Sequence, residues 1–94
     1  LGWESKETKI TGDQGADVIA EKDGIKIIVQ CKLYSKPIGN KAVQEVFAAQ
    51  KFYRGNRALV VSNASYTKSA QKLAESNDVI LLHYTNLSKF LKEL

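Results

Sequence analysis

Residues Gly12 to Tyr34 read GDQGADVIAEKDGIKIIVQCKLY. Two runs rich in Val, Ile and Ala, Val18 to Lys22 and Ile25 to Leu33, flank Asp23-Gly24. Asp-Gly between apolar runs is a strong hairpin signal, because a two-residue type I′ turn needs positive φ at both central positions. With that loop Lys22 opposes Ile25, and stepping back along both strands sets Asp17 opposite Gln30. Side chains alternate between the faces of a strand, so Asp17, Gln30 and Lys32 share one face, with Ile19 and Ile28 deeper in the hairpin. Val18, Ala20, Ile27, Val29 and Cys31 point to the other. Apolar residues on both faces predict a sheet covered on both sides.

A carboxylate, an amide and an ammonium beside such a core need a reason, since charged groups are rarely buried unpaired. One reading is an Asp17–Lys32 salt bridge at the rim of the sheet. The other is a site for a hard cation such as Mg²⁺, which prefers oxygen ligands. Asp17 would then hold the metal with the Gln30 amide oxygen, and Lys32 would orient a water or stabilise charge on a phosphate.

The 94 residues suit one small domain, residues 1–94, with a single core. The composition, 44% hydrophobic and 26% charged, is that of a globular chain. No apolar run approaches the roughly 20 residues that span a membrane, and no signal-peptide pattern opens the chain. The single cysteine, Cys31, excludes an intrachain disulfide and reads as a buried apolar filler in mid-strand. An intracellular, cytoplasmic setting is the simplest expectation. Fourteen Lys and Arg against ten Asp and Glu leave a net charge of +4, which suits a polyanionic partner. The start at Leu1-Gly2-Trp3, without a methionine, reads as a fragment of a longer protein.

Along the chain, residues 3–11 alternate loosely and predict a first strand, at an edge of the sheet. Gly12 to Ala16 reads as a loop. Tyr34 to Asn40 is a second loop, marked by Pro37, with Asn40 as the N-cap of a helix over 41–53. Val43, Val46, Phe47 and Gln50 give that helix its period, and Gly55 its end. Residues 58–62 and 79–84 are short apolar runs expected as buried strands. Between them, 67–76 reads as a helix, and Thr85 as the cap of a last helix over 86–94. The order is β-β-β-α-β-α-β-α, an α/β chain with a mixed sheet of about five strands flanked by helices.

With these residues in place, the chain resembles the catalytic domain of the Mrr-like restriction endonucleases, within the PD-(D/E)xK nuclease superfamily. The resemblance rests on Gly12-Asp13-Gln14-Gly15-Ala16-Asp17-Val18-Ile19, on Val29-Gln30-Cys31-Lys32, and on Ala42-Val43-Gln44-Glu45-Val46. Val60-Val61-Ser62-Asn63, Tyr66-Thr67 to Ala70, and Val79-Ile80-Leu81-Leu82 extend it over nearly the whole chain. It implies a restriction-endonuclease-like fold and a metal-dependent endonuclease that hydrolyses DNA with Mg²⁺, or Mn²⁺ in its place. Asp17 matches the family's metal-binding aspartate, Gln30 stands where (D/E)xK has its acid, and Lys32 is its lysine. Asp17, Gln30 and the backbone carbonyl of Cys31 would hold the metal. The glutamine removes one negative charge from that set. The family usually adds a Glu from a helix ahead of the first strand, and this chain, starting at Leu1, is expected to lack that helix.

Other residues carry weaker expectations. Gln44, Lys36, Lys41 and Arg54 are candidates for DNA contact, as are Lys51 and Arg57, although a solvated surface explains all of them equally. Asp13 is a candidate for the metal shell, and Glu4 and Glu7 are poor substitutes for the missing acid. His83, remote from the cluster, reads as a structural strand-end residue. Phe47, Phe52, Tyr53 and Phe90 exceed what one helix stripe must bury and suggest a homodimer, at least on DNA. Target choice is expected from a separate recognition domain. Two rival functions remain: a DNA-binding or assembly module with weakened catalysis, and a nuclease of the Holliday-junction-resolvase kind.

Overall fold

A computed structural model describes residues 2–7 and 18–93 of the chain. The loop expected at Gly12 to Ala16 and the second half of the expected first strand lie outside these residues. The described elements are β1 (Glu4–Glu7), β2 (Val18–Lys22), β3 (Ile25–Lys32), α1 (Asn40–Tyr53), β4 (Arg57–Ser62), α2 (Lys68–Asn77), β5 (Val79–His83), a 3₁₀ turn (Tyr84–Asn86) and α3 (Leu87–Lys92). The strands form one five-stranded sheet in the order β1-β2-β3-β4-β5. β1–β2 and β2–β3 pair antiparallel, while β3–β4 and β4–β5 pair parallel. The sheet is mixed, and the chain is α/β, as the residue pattern implies.

The hairpin takes the expected register, with Lys22 opposite Ile25 and Val18 opposite Val29. Asp23 and Gly24 both adopt positive φ, at 51° and 82°, which the two-residue turn requires. β1 lies at an edge of the sheet, beside β2.

Both faces of the sheet are covered. On one, Ile28, Ala58 and Val60 are buried against Val43, Val46 and Ala49 of α1 and Ala70 and Ala74 of α2. On the other, Ile27, Val29, Leu59 and Val61 pack against Leu87, Phe90 and Leu91 of α3 and against Trp3. Each fully buried Val, Leu or Ile contributes about 1.5–3 kcal/mol, so α1, with two buried valines, is held by its inner stripe. Cys31 departs from the expected pattern and is exposed. It lies two residues beyond the last described β2 pairing, at Val29, and is not among the residues that α3 covers.

The helix ends depart from expectation in detail. Asn40 is the first residue of α1 and not its cap; Gly39 holds the cap position in extended conformation, with no side-chain cap. A bridge between Ile38 and Tyr66 sets this entry, through Ile38 N–H to the Ser65 carbonyl at 2.8 Å and Thr67 N–H to the Ile38 carbonyl at 2.9 Å. At the other end Arg54, at φ 58°, takes the left-handed position expected for Gly55. Gly55 is needed for space: a Cβ there would sit 2.5 Å from Cγ1 of Ile28. Thr67 caps α2, accepting from the Ala70 amide at 3.0 Å. Thr85 does not cap α3: it lies within the 3₁₀ turn, Asn86 holds the cap position, and the Thr85 hydroxyl meets Nδ1 of His83 at 2.8 Å.

Candidate active site

Gln30 and Lys32 stand at the C-terminal end of β3, the central strand, opposite Val60 and Ser62 of the parallel strand β4. They alternate with Cys31 and therefore share the face of Ile28, the face that α1 covers. α1 brings a third group, Glu45. One oxygen of Glu45, Oε1, accepts a hydrogen bond from Nε2 of Gln30 at 3.1 Å. The same oxygen lies 3.7 Å from Nζ of Lys32. An amide and an ammonium from the strand thus converge on one carboxylate from the helix.

Burial differs among the three. Gln30 is only 5% exposed, and its Oε1 is buried without a hydrogen-bond partner. The side chains of Lys32 and Glu45 keep 24% and 33% of their surface. Lys32 also places Nζ 5.7 Å from the centre of the Tyr34 ring. Tyr34 in turn donates its backbone N–H to Oδ1 of Asn63 at 3.0 Å, which ties the loop after β3 to the end of β4. Beside the cluster is a cleft of about 100 Å³ lined by Lys32, Tyr34, Gly39, Lys41 and Glu45, among others. Among the described residues two lysines face one carboxylate in that cleft, a balance that suits a phosphate.

Of the residues singled out in the sequence, Gln30 and Lys32 come together. Asp17 and Asp13 lie outside the described residues. Lys41 lines the cleft, and Lys36 is exposed in the neighbouring loop with Tyr34. Gln44 is exposed on α1. Arg54 follows the last residue of the 14-residue α1, about 20 Å from its first turn at 1.5 Å per residue. His83 is occupied by Thr85 and stacks on Tyr84 with ring centres 4.7 Å apart. Among the described residues no three His, Cys, Asp or Glu side chains gather as a metal cluster. No helix among them is long and apolar enough to cross a membrane.

Glu45 is the residue that sequence reasoning passed over in favour of its neighbour Gln44. A signal was present. Ala42 and Ala49 are both buried on α1, and Glu45 lies between them at helical spacing, on the edge of the apolar stripe. A carboxylate in that place calls for a partner on the sheet.

The family model Mrr_cat, described as restriction endonuclease, matches residues 1–91. The chain belongs to the Mrr_cat restriction endonuclease family. Two solved structures resemble the Mrr_cat chain throughout most of its length. AF1548, described as a protein of unknown function, is 24% identical with a TM-score of 0.70, covering 89% of this chain and 50% of its own. A repair endonuclease from Pyrococcus abyssi is 24% identical with a TM-score of 0.60, covering 86% of this chain and 38% of its own. The Mrr_cat chain thus spans half or less of the length of either, and at this identity the likeness is one of fold. A search of curated proteins finds no match.

Proposed function

We propose that this Mrr_cat domain is a metal-dependent endodeoxyribonuclease. The observation that supports this reading best is the buried, unpartnered Oε1 of Gln30 two residues from the Lys32 ammonium. A buried carbonyl oxygen without a partner costs on the order of 1–3 kcal/mol, and a bound ion is one way to recover that cost. A hard cation is such a ligand, since it takes amide and carboxylate oxygens. Asp17, Gln30 and the Cys31 backbone carbonyl are the proposed ligands of Mg²⁺, with Mn²⁺ as a substitute. A divalent cation held there would supply Lewis-acid polarisation of the phosphate and its attacking water.

The residues of the chain would do the rest. Lys32 orients the attacking water and stabilises the negative charge that develops on the phosphoryl oxygens as the water oxygen bonds to phosphorus and the ester oxygen departs. Lys41 holds a neighbouring phosphate in the cleft. Target choice would come from a separate recognition domain, and a two-fold homodimer would set one site on each DNA strand. Phe52, 63% exposed, is the aromatic residue that best suits such a contact; Phe47, Tyr53 and Phe90 pack on the core.

Plasmid cleavage with Mg²⁺ or Mn²⁺ tests the proposal: the wild-type domain is expected to cut and Asp17→Ala to be inert. Equal behaviour of the two would refute it. The rival, a module that binds DNA without cutting, draws on the charge lost at Gln30. Calorimetric titration separates them, because a retired site takes up no Mg²⁺. Sedimentation velocity with and without duplex tests the dimer, and a strictly monomeric species that only nicks DNA would exclude it.

A further inference from the structure

We infer that Glu45 is a positioning residue that makes the glutamine at position 30 usable as a metal ligand. The inference rests on the metal-dependent reading above. A carboxylate has no proton to give, so the end of the Gln30 amide that meets Glu45 must be its NH₂ group. The contact at 3.1 Å therefore fixes the direction of the amide. Its oxygen is turned away from Glu45, where it lies buried and unpartnered.

An amide can rotate end for end at little steric cost, and the two orientations present opposite charge. With the oxygen on the side away from Glu45, Gln30 offers a cation there a ligand; with the NH₂ on that side, it repels one. Glu45 decides between them. Its own place is set by α1, whose residues Ala42, Val46 and Ala49 are buried on either side of it. The same Oε1, 3.7 Å from Nζ, also tethers Lys32, so one atom aligns both groups of the strand. A negative charge missing from the strand is present one layer away on the helix. From there it acts through the amide's dipole.

The test is Mn²⁺ binding by calorimetry, on the whole chain and without DNA. Glu45→Gln is expected to weaken binding about 10- to 100-fold, the usual effect of removing a group that orients a metal ligand, with the unfolding midpoint little changed. In a Gln30→Ala background the same substitution should cost nothing further, because Glu45 acts through Gln30. A swap gives an independent check. Gln30→Glu alone sets two carboxylates against each other; adding Glu45→Gln supplies a donor again and should bring binding back to the wild-type level or above.

Wild-type affinity in Glu45→Gln, a loss that adds to that of Gln30→Ala, or a swap no better than Gln30→Glu alone would each overturn the inference. If Glu45→Gln has no effect while the wild type binds Mn²⁺, the metal site stands and only the role of Glu45 falls. If the wild type binds no Mn²⁺, the metal-dependent reading falls and the inference with it.

Discussion

Lys32 and Glu45 meet at 3.7 Å with a quarter to a third of each side chain open to solvent. A pair so exposed contributes little to stability, about 0–1 kcal/mol. The other reading of the sequence, a buried Asp17–Lys32 pair, would put several kcal/mol at stake, and Asp17 lies outside the described residues. Lys32→Ala is therefore expected to abolish cleavage while lowering stability by no more than about 1 kcal/mol and leaving DNA affinity nearly intact. An interaction made mainly in the transition state has this signature. Single-turnover cleavage, a binding titration and urea denaturation measure the three quantities. A loss of several kcal/mol would make Lys32 a structural residue.

Lys41 and Arg54 stand at opposite ends of α1, and only Lys41 lines the cleft. Lys41→Ala is expected to weaken DNA binding alike on all sequences and to reduce the slope of log affinity against log salt by about 1, the effect of one lost phosphate contact. Arg54→Ala should change neither. Fluorescence anisotropy across a salt series distinguishes them, and equal losses would place the DNA elsewhere.

The hydroxyl of Tyr66 reaches two backbone carbonyls, of Val60 at 3.0 Å and Leu82 at 2.8 Å, and so ties β4 to β5. Burial pushes its pKa up from 10.0 to about 12, against the opposing effect of the bond to Leu82. The folded state holds this proton more tightly than the unfolded one. Its contribution is complete below pH 10.0 and is lost as pH rises towards about 12. Tyr66→Phe should cost about 1 kcal/mol at neutral pH, the net worth of one hydrogen bond. The gap between mutant and wild type should narrow as the pH climbs through that window. Urea midpoints on either side of it provide the measurement; a constant gap would show that Tyr66 does not titrate in this way.

A methyl group at Gly55 would lie 2.5 Å from Cγ1 and 3.0 Å from Cδ1 of Ile28, a residue with no exposed surface. Ile28 precedes Gln30 on the same face of β3. Gly55→Ala is expected to cost about 1–3 kcal/mol, the range for overpacking a core, and to displace the strand that carries the site. Denaturation and cleavage assays should fall together, and a neutral substitution would mean that α1 can move aside.

Much of this was written locally in the sequence. Asp23-Gly24 names its own turn, a two-residue loop leaves one register, and that register puts Gln30 and Lys32 on the face that α1 covers. The start of α1 was less legible: Asn40 is a favoured cap by type, yet the bridge from Ile38 to Tyr66 decides how the chain enters the helix. Distant contacts of that sort leave no local mark. Glu45 was hidden for a related reason. Its partner is 15 residues away, on another element, and only the buried neighbours Ala42 and Ala49 betray that it faces the sheet. The exposure of Cys31 breaks the apolar alternation along β3, which no periodicity in the strand records.

The parallel pairing of β3 with β4 also bears on when this molecule becomes competent. Gln30 and Lys32 ride on a hairpin closed by a two-residue turn, a structure that neighbours in sequence form early and fast. Glu45 rides on the crossover between β3 and β4, which is fixed only when the Arg57–Ser62 strand has docked beside Ile25–Lys32. Closing the longer loop is the slower event. On the role assigned to Glu45, a nascent or partly opened chain carries the lysine and the amide but not the carboxylate that aims them. Full metal affinity would then arrive only with the whole sheet.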